Sequence, residues 1–391
     1  MQDNQGLLLK VATNLNRDRV LIVAGESSGD LHGGNLALRI KALRPELKLY
    51  GIGGPRMREA GVDTFVDIAR LAVVGIWEVL AHFKDIKDAF DRAKKALVED
   101  RPALLVLIDY PDFNLRLAKV AKEAGVPVVY YVSPQLWAWR RGRIKNMARL
   151  VRKMLVVFPF EEQIYKEAGI DCTFVGHPLL DTLGDVPDRA ALAGRYGLDP
   201  EKPVLGLLPG SRRKELSYHL PVMLKAYGLL KQKLPGLQAV LPVASALGPK
   251  DFEIYMGGYD GVKLVENDTE GVMSLMDAAI VASGTATLQT ALYKKPMVIM
   301  YRLSPLTYRI GKALIKVKHI GMVNLIADEE VVPELIQDQA SPENMSSLIF
   351  KMFCDKAYYT EVVRKLEAVC IKLGGPGASA RAAEEVVRLI G

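Results

Sequence analysis

Cysteine is scarce. Cys172, Cys354 and Cys370 are the only three in 391 residues, and no two stand as a CxxC pair. That spacing excludes a disulfide framework and a paired-thiol metal or redox site, and it fits a reducing compartment. Long uncharged apolar runs are missing too. No stretch reaches the ~18 residues that a spanning helix needs. Leu7-Leu8-Leu9 is too short for the core of a secretory signal, and Asn14, Asn16 and Asp18 follow it. Residues 1–18 read as a loose N-terminal arm. No helix-turn-helix, zinc-finger or RRM signature occurs, so nucleic acid is not an expected partner. The net charge of +7 then leaves an anionic membrane surface or phosphorylated small molecules. Two more absences bear on chemistry. The first strand is not followed by G-x-G-x-x-G, which argues against a dinucleotide. No D-x-D pair occurs, which argues against a metal-held diphosphate. Neither metal nor cofactor is expected.

What is present is hydrophobic, at 50% of residues, enough for two cores. The stretch Ala278 to Tyr293 shows the pattern that organises the chain. Five apolar residues are followed by Ser283-Gly284-Thr285, then by Leu288, Ala291 and Leu292 on one helical face. This reads as strand, tight turn and helix start. It is either an ordinary βα turn or, because a helix start offers free N–H groups and a positive dipole end, a phosphate site.

The same pattern recurs along both halves. Near-continuous apolar runs at Arg19–Ala24, Leu47–Ile52, Ala103–Ile108, Val128–Val132, Met154–Val157 and Thr173–Val175 indicate a parallel sheet buried on both faces. They define a first domain over 19–182. After a linker with a short helix, Val204–Leu208, Leu237–Val243, Ala278–Ala282 and Met297–Tyr301 repeat the pattern in a second domain, 183–355. Helices over 356–391, broken at Gly374–Gly377, close the chain. The expected architecture is α/β of the GT-B type: two Rossmann-like domains facing a central cleft, with the C-terminal helices packing back toward the first.

Ligands of such sheets bind at the carboxyl ends of the strands, so the turns there matter most. In the first domain, Glu26, Ser28 and Asp30 follow the first strand and suit sugar hydroxyls or simple caps. Asp112, in Asp109-Tyr110-Pro111-Asp112-Phe113-Asn114, is a helix cap or a general base. Ser133 and Trp137 lie in a loop with a second tryptophan, Trp139, and both rings suit a sugar face or an acyl chain. His177, beside a proline, reads as structural more than as a base. In the second domain, Gly210-Ser211-Arg212 carries a guanidinium fork suited to a diphosphate. Together with Ser283-Gly284-Thr285 it forms a pair of anion-binding turns. Asn324 sits in a loop, as a ligand contact or a turn closure. Leu71 to Phe83, with Trp77 and Phe83, is either a core helix or a segment dipping into lipid headgroups. The run from Arg140 and Arg141 to Lys153 is a solvated helix face or a match for anionic lipid.

These motifs resemble one family. GESSGD at 25–30, IDYPDFN at 108–114, YVSPQLWAWR at 131–140, FVGHP at 174–178, LLPGSR at 207–212, SGTATL at 283–288 and GGPGAS at 374–379 are similar to those of lipid A disaccharide synthases, from about residue 19 to the C-terminus. The resemblance implies that UDP-2,3-diacylglucosamine donates its sugar, with inversion, to 2,3-diacylglucosamine 1-phosphate. The products are a β-1,6 disaccharide and UDP. It implies Asp112 as base, Arg212 on the diphosphate, Asn324 as needed for activity, and Glu26 near the acceptor. It also implies a homodimer and a cytoplasmic enzyme held peripherally at the inner face of the inner membrane. Gln289 departs from the family's usual Glu, where a carboxylate would hold both ribose hydroxyls of UDP. An amide offers one acceptor oxygen in place of two. Ala380 also replaces a usual charged residue. A UDP-N-acetylglucosamine 2-epimerase or a non-catalytic nucleotide-sugar binder are the alternatives on the same architecture.

Overall fold

The computed structural model describes residues 15–70, 83–134, 137, 142–184, 187–244, 247–304, 308 and 318–391, with backbone only at Arg70, Phe83 and Arg143. Trp77, Trp139, Arg140, Arg141 and the Phe83 ring, the membrane candidates, lie outside the described residues.

The chain divides into two compact units. Unit 1 is the chain up to Thr182 together with Leu373–Gly391, and unit 2 is Leu183–Lys372. The helix Lys356–Lys372 therefore belongs to unit 2, and only the final helix, Ala378–Ile390, goes with unit 1. The sequence had set both apart as one C-terminal group. The Asp181 carboxylate explains the return. It accepts N–H bonds from Gly377 (2.6 Å), Ala378 (3.1 Å) and Ser379 (2.9 Å), at the start of the last helix. Burial works against this carboxyl, yet the donors of Ser379, Gly377 and Ala378 hold it below the usual carboxylate range. A carboxylate at a helix N-terminus is also favoured by the dipole. Arg381 adds bonds to the carbonyls of Val175, Gly375 and Pro376.

Unit 1 holds a seven-stranded parallel sheet built from β1 (Asn16–Ala24), β2 (Lys48–Gly53), β3 (Asp63–Asp67), β4 (Pro102–Ile108), β5 (Val128–Tyr131), β6 (Lys153–Val156) and β7 (Cys172–Phe174). Its order is β3-β2-β1-β4-β5-β6-β7. Unit 2 holds a six-stranded sheet built from β8 (Val204–Leu208), β9 (Gln238–Val243), β10 (Val262–Glu266), β11 (Ala278–Ala282), β12 (Met297–Tyr301) and β13 (Glu334–Ile336), in the order β10-β9-β8-β11-β12-β13. Central strands such as β4, β8 and β11 are buried at every residue, which is why they read as unbroken apolar runs. The strands that the sequence does not announce, β3, β10 and β13, are all edges. Each is short and carries charge among its apolar residues, as solvent-facing edges do.

Each sheet reverses its winding once, between β1 and β4 in unit 1 and between β8 and β11 in unit 2. Such a reversal opens a crevice beyond the strand ends. At the first, Ala24 pairs with Ile108. At the second, Leu208 pairs with Val281. The motif turns therefore leave the sheets side by side: Gly25 beside Asp109, and Gly210 beside Ser283.

Candidate active site

In unit 1 the two turns at the reversal are packed on each other. A Cβ on Gly25 would overlap the Tyr110 ring, so only glycine allows the approach. Asp109 and Tyr110 both take φ of 46°, a left-handed conformation that costs a non-glycine residue about 1–3 kcal/mol. The surroundings enforce it. The Asp109 carbonyl accepts from Asn114 Nδ2 (2.7 Å) and from the Tyr130 hydroxyl. Asn114 Nδ2 also reaches the Ile108 carbonyl (3.2 Å), and Asn114 and Tyr130 are fully buried. This bracing holds the Asp109 backbone in its left-handed conformation. Burial, and then the charge of Glu26, push its carboxyl up to about 6, against a smaller opposing hydrogen bond at Tyr110. A carboxyl that titrates near neutrality beside an exposed glutamate is suited to take a proton.

Asp112 is placed differently from the expectation. The helix begins at Pro111, with Tyr110 at its N-cap position. Asp112 is therefore an exposed first-turn residue, not the helix cap. Asp109 carries no local sequence signal, because what marks it, paired left-handed backbone and burial near Glu26, is tertiary.

Among the expected acceptor contacts, Glu26 and Ser28 are exposed at the start of the helix Ser27–Leu43, so the GESSGD turn is helical from its third residue. Asp30 is committed elsewhere. It is 3% exposed and accepts from the backbone N–H groups of Gly54 (2.6 Å), Arg56 (3.0 Å) and Met57 (3.1 Å), capping the helix Pro55–Glu59. Ser133 and Trp137 are committed as well. The Ser133 hydroxyl (2.5 Å) and the Trp137 indole N–H (2.9 Å) both donate to Glu161 Oε1, and Trp137 is 5% exposed, its ring edge-on to Phe160. They brace the loop.

Glu161 itself is fully buried and also accepts from the Phe158 N–H. Burial outweighs the hydrogen bonds from Ser133, Trp137 and the backbone of Phe158 and Val157, and raises its carboxyl to about 7. A carboxyl raised on folding stabilises the protein below its unfolded value near 4.5 and loses that contribution as pH climbs through 7. Wild type is therefore expected to lose on the order of 3 kcal/mol from this group between pH 4.5 and 8. Glu161→Gln removes that component. Urea midpoints at pH 5 and pH 8 test it, and an equal pH slope in both proteins refutes it.

In unit 2 the turns at the reversal carry the anion donors. The helix Arg213–Lys233 starts after Gly210-Ser211-Arg212. His219, buried on it, bonds the Pro209 carbonyl through Nδ1 (2.8 Å) and the Arg302 backbone through Nε2, tying the loops after β8 and β12. Arg212 is a half-exposed guanidinium. Across the reversal, the helix Thr285–Leu292 starts at Gly284 with no side-chain cap. Gly284 has φ of 153° with open space beside it, and Gly284 and Thr285 are exposed. Gln289 lies one turn into this helix, half-buried.

Asn324 is a correction. It lies in a helix, Met322–Ala327, not a loop, and it is fully buried. Its Nδ2 donates to the Val332 carbonyl (2.7 Å) and Glu334 Oε1 (2.8 Å), while its Oδ1 accepts from the N–H groups of Val331 (2.8 Å) and Val332 (3.0 Å). Both amide donors are spent, so direct contact with UDP is not its geometry. Its influence reaches the turn through neighbours. Glu334 accepts from the N–H groups of Ile320 and Gly321, and the Ser283 hydroxyl donates to the Ile320 carbonyl (3.2 Å). His177 likewise is structural, its Nδ1 accepting from Leu179 N–H.

Among the described residues no helix is long and apolar enough to cross a membrane. Solved structures show the fold. The chain superposes on a Staphylococcus aureus MnaA–UDP structure with a TM-score of 0.65 at 11% identity, covering 95% of this chain and 97% of that one. It superposes on the calicheamicin glycosyltransferase CalG4 with a TM-score of 0.61 at 16% identity, covering 96% and 99%. Both likenesses are those of the GT-B architecture with two Rossmann-like domains. Two relatives carry the name lipid-A-disaccharide synthase. That of Trichlorobacter lovleyi is 49% identical over 95% of this chain and 97% of its own. That of Geobacter metallireducens is 49% identical over the same shares. The family model described as lipid-A-disaccharide synthetase matches residues 20–373, and on these grounds the chain belongs to the lipid-A-disaccharide synthetase family.

Proposed function

We propose that this protein is a lipid-A-disaccharide synthase, transferring a diacylated glucosamine from its UDP derivative to diacylated glucosamine 1-phosphate. The observation that carries the reading is the kinship to named synthases over nearly the whole chain. The geometry of each unit supports the following roles. Unit 2 holds the nucleotide. The Gly210-Ser211-Arg212 turn and the uncapped helix start at Ser283-Gly284-Thr285 take the diphosphate, and Gln289 faces the ribose. Unit 1 activates the acceptor, with Glu26 and Ser28 toward the sugar. Asp109, in place of Asp112, is the general base. As the acceptor oxygen bonds to the donor C1, its proton passes to the Asp109 carboxylate. The bond from C1 to the phosphate oxygen breaks, and UDP leaves with the electron pair. The growing negative charge is met by the Arg212 guanidinium and backbone N–H groups, fixed donors that need no rearrangement during the step.

The acylated substrates also call for a lipid surface, and we place the protein at the cytoplasmic face of an anionic membrane. The helix Phe83–Lys95, directly after the apolar stretch 71–82, exposes Lys84, Lys87, Arg92, Lys94 and Lys95. One set of vesicles tests both statements. With the UDP-sugar donor and the acceptor in anionic vesicles, UDP appears only when acceptor is present. The protein floats with the vesicles at low salt and is released at high salt. UDP release that ignores the acceptor ends the synthase reading, and flotation equal at all salt concentrations ends the electrostatic one.

A further inference from the structure

The donors assigned to the diphosphate are already engaged by a carboxylate of the chain itself. Glu215, in the first turn of the helix Arg213–Lys233, accepts from the Ser211 N–H through Oε2 (3.0 Å) and from Arg212 Nη1 through Oε1 (3.3 Å). The carboxylate fills the concave side of the turn, and a Cβ on Gly210 would overlap it. Gly210 has φ of 113°, so glycine serves both the backbone and the space. Tyr301, at the end of β12, lies in the field of Glu215 and Arg212 together. His219, one turn further along the helix, pins the Pro209 carbonyl from below. The turn is thus held from beneath by a buried ring and occupied from within by an anion.

We infer that Glu215 is a placeholder for the nucleotide diphosphate, leaving the turn when UDP-sugar binds and returning to it as UDP departs. The inference rests on the assignment of Ser211 and Arg212 to the diphosphate. A carboxylate presents two oxygens to an N–H and a guanidinium much as a phosphate does. Both cannot use the same donors, so each binding event breaks two charge-assisted contacts before making new ones. The consequence is weaker nucleotide binding and faster release of UDP, a step that limits turnover in many transferases with mobile parts.

Calorimetric titration of UDP and of uridine against the full chain tests it, with variants Glu215→Gln, Glu215→Asp and Arg212→Ala. Gln keeps an oxygen for the Ser211 N–H, so the turn is retained without the competing charge. Asp keeps the charge but draws it back from the two donors by one methylene. Both variants are expected to bind UDP roughly 10-fold or more tightly, with uridine affinity unchanged. At saturating donor their turnover falls and inhibition by UDP increases. If both bind UDP as wild type does or more weakly, while Arg212→Ala loses affinity, the placeholder is refuted and the diphosphate site stands. If only Gln tightens binding, the effect is one of charge, not contact, and the placeholder is again refuted. If Arg212→Ala binds UDP normally, the assignment of the turn fails first and the inference falls with it. A purely structural role for Glu215 lowers uridine and UDP affinity together, which also refutes it.

Discussion

Asp109→Asn is expected to lower turnover by roughly 10²–10⁴-fold while UDP affinity stays within about twofold, as removal of a general base does. The amide has nearly the shape of the carboxylate, so the bracing of the Asp109 carbonyl by Asn114 and Tyr130 survives. What is lost is the acceptor for the hydroxyl proton. Wild type should show kcat/KM rising with pH through about 6, the value to which burial and Glu26 push this carboxyl. The sign follows from the role: a base works deprotonated, so activity falls as pH drops below that value. The variant should lack this limb. Asp112→Asn is the comparison. Exposed in the first turn of its helix, it is expected to cost about 10-fold or less. The reverse order of effects returns the role to Asp112. Glu26→Gln should shift the limb to lower pH, because the neighbouring charge that raises Asp109 is gone.

Asn324→Ala should cost the fold roughly 4 kcal/mol. The side chain closes four hydrogen bonds, and its loss leaves the buried Val331 and Val332 N–H groups and the Val332 carbonyl without their partner. Each orphaned group costs about 1–3 kcal/mol. Asn324→Asp should be comparably harmful, since it replaces both N–H donors by an oxygen facing Glu334 and the Val332 carbonyl. Urea unfolding midpoints measure the effect. UDP affinity should fall along with them, because Glu334, Ile320 and Ser283 form the path from this amide to the anion-binding turn. A variant as stable as wild type but inactive would instead mean that the amide meets substrate itself.

Much of the architecture was open to reading from residue order alone. Strands buried on both faces must be apolar throughout, so β4, β8, β11, β12 and the Val20–Ala24 part of β1 show as runs that no polar residue interrupts. Glycine and serine after such runs mark the turns, and the anion-binding pair at Gly210–Arg212 and Ser283–Thr285 follows from local chemistry. The edge strands β3, β10 and β13 escaped because half of their surface meets water and their composition resembles that of loops. The helical start at Ser27 escaped because Ser, Gly and Asp favour turns when no tertiary packing decides.

The division is sharpest among polar side chains. Sequence determined which residues are capable of binding a sugar, a phosphate or a proton, since that depends on functional groups and on spacing within a single turn. Tertiary structure decided which of them remain available. Asp30, Ser133, Trp137 and Asn324 have the right groups, but folding brings donors and acceptors that use them up, from 24 or more residues away for the first three and from the following loop and strand for Asn324. Asp109 looks like an ordinary strand-end residue until burial and Glu26 raise its carboxyl. The physical reason is that a hydrogen-bonding group has few valences and an acid's strength depends on its surroundings, and both are settled by neighbours that only folding supplies.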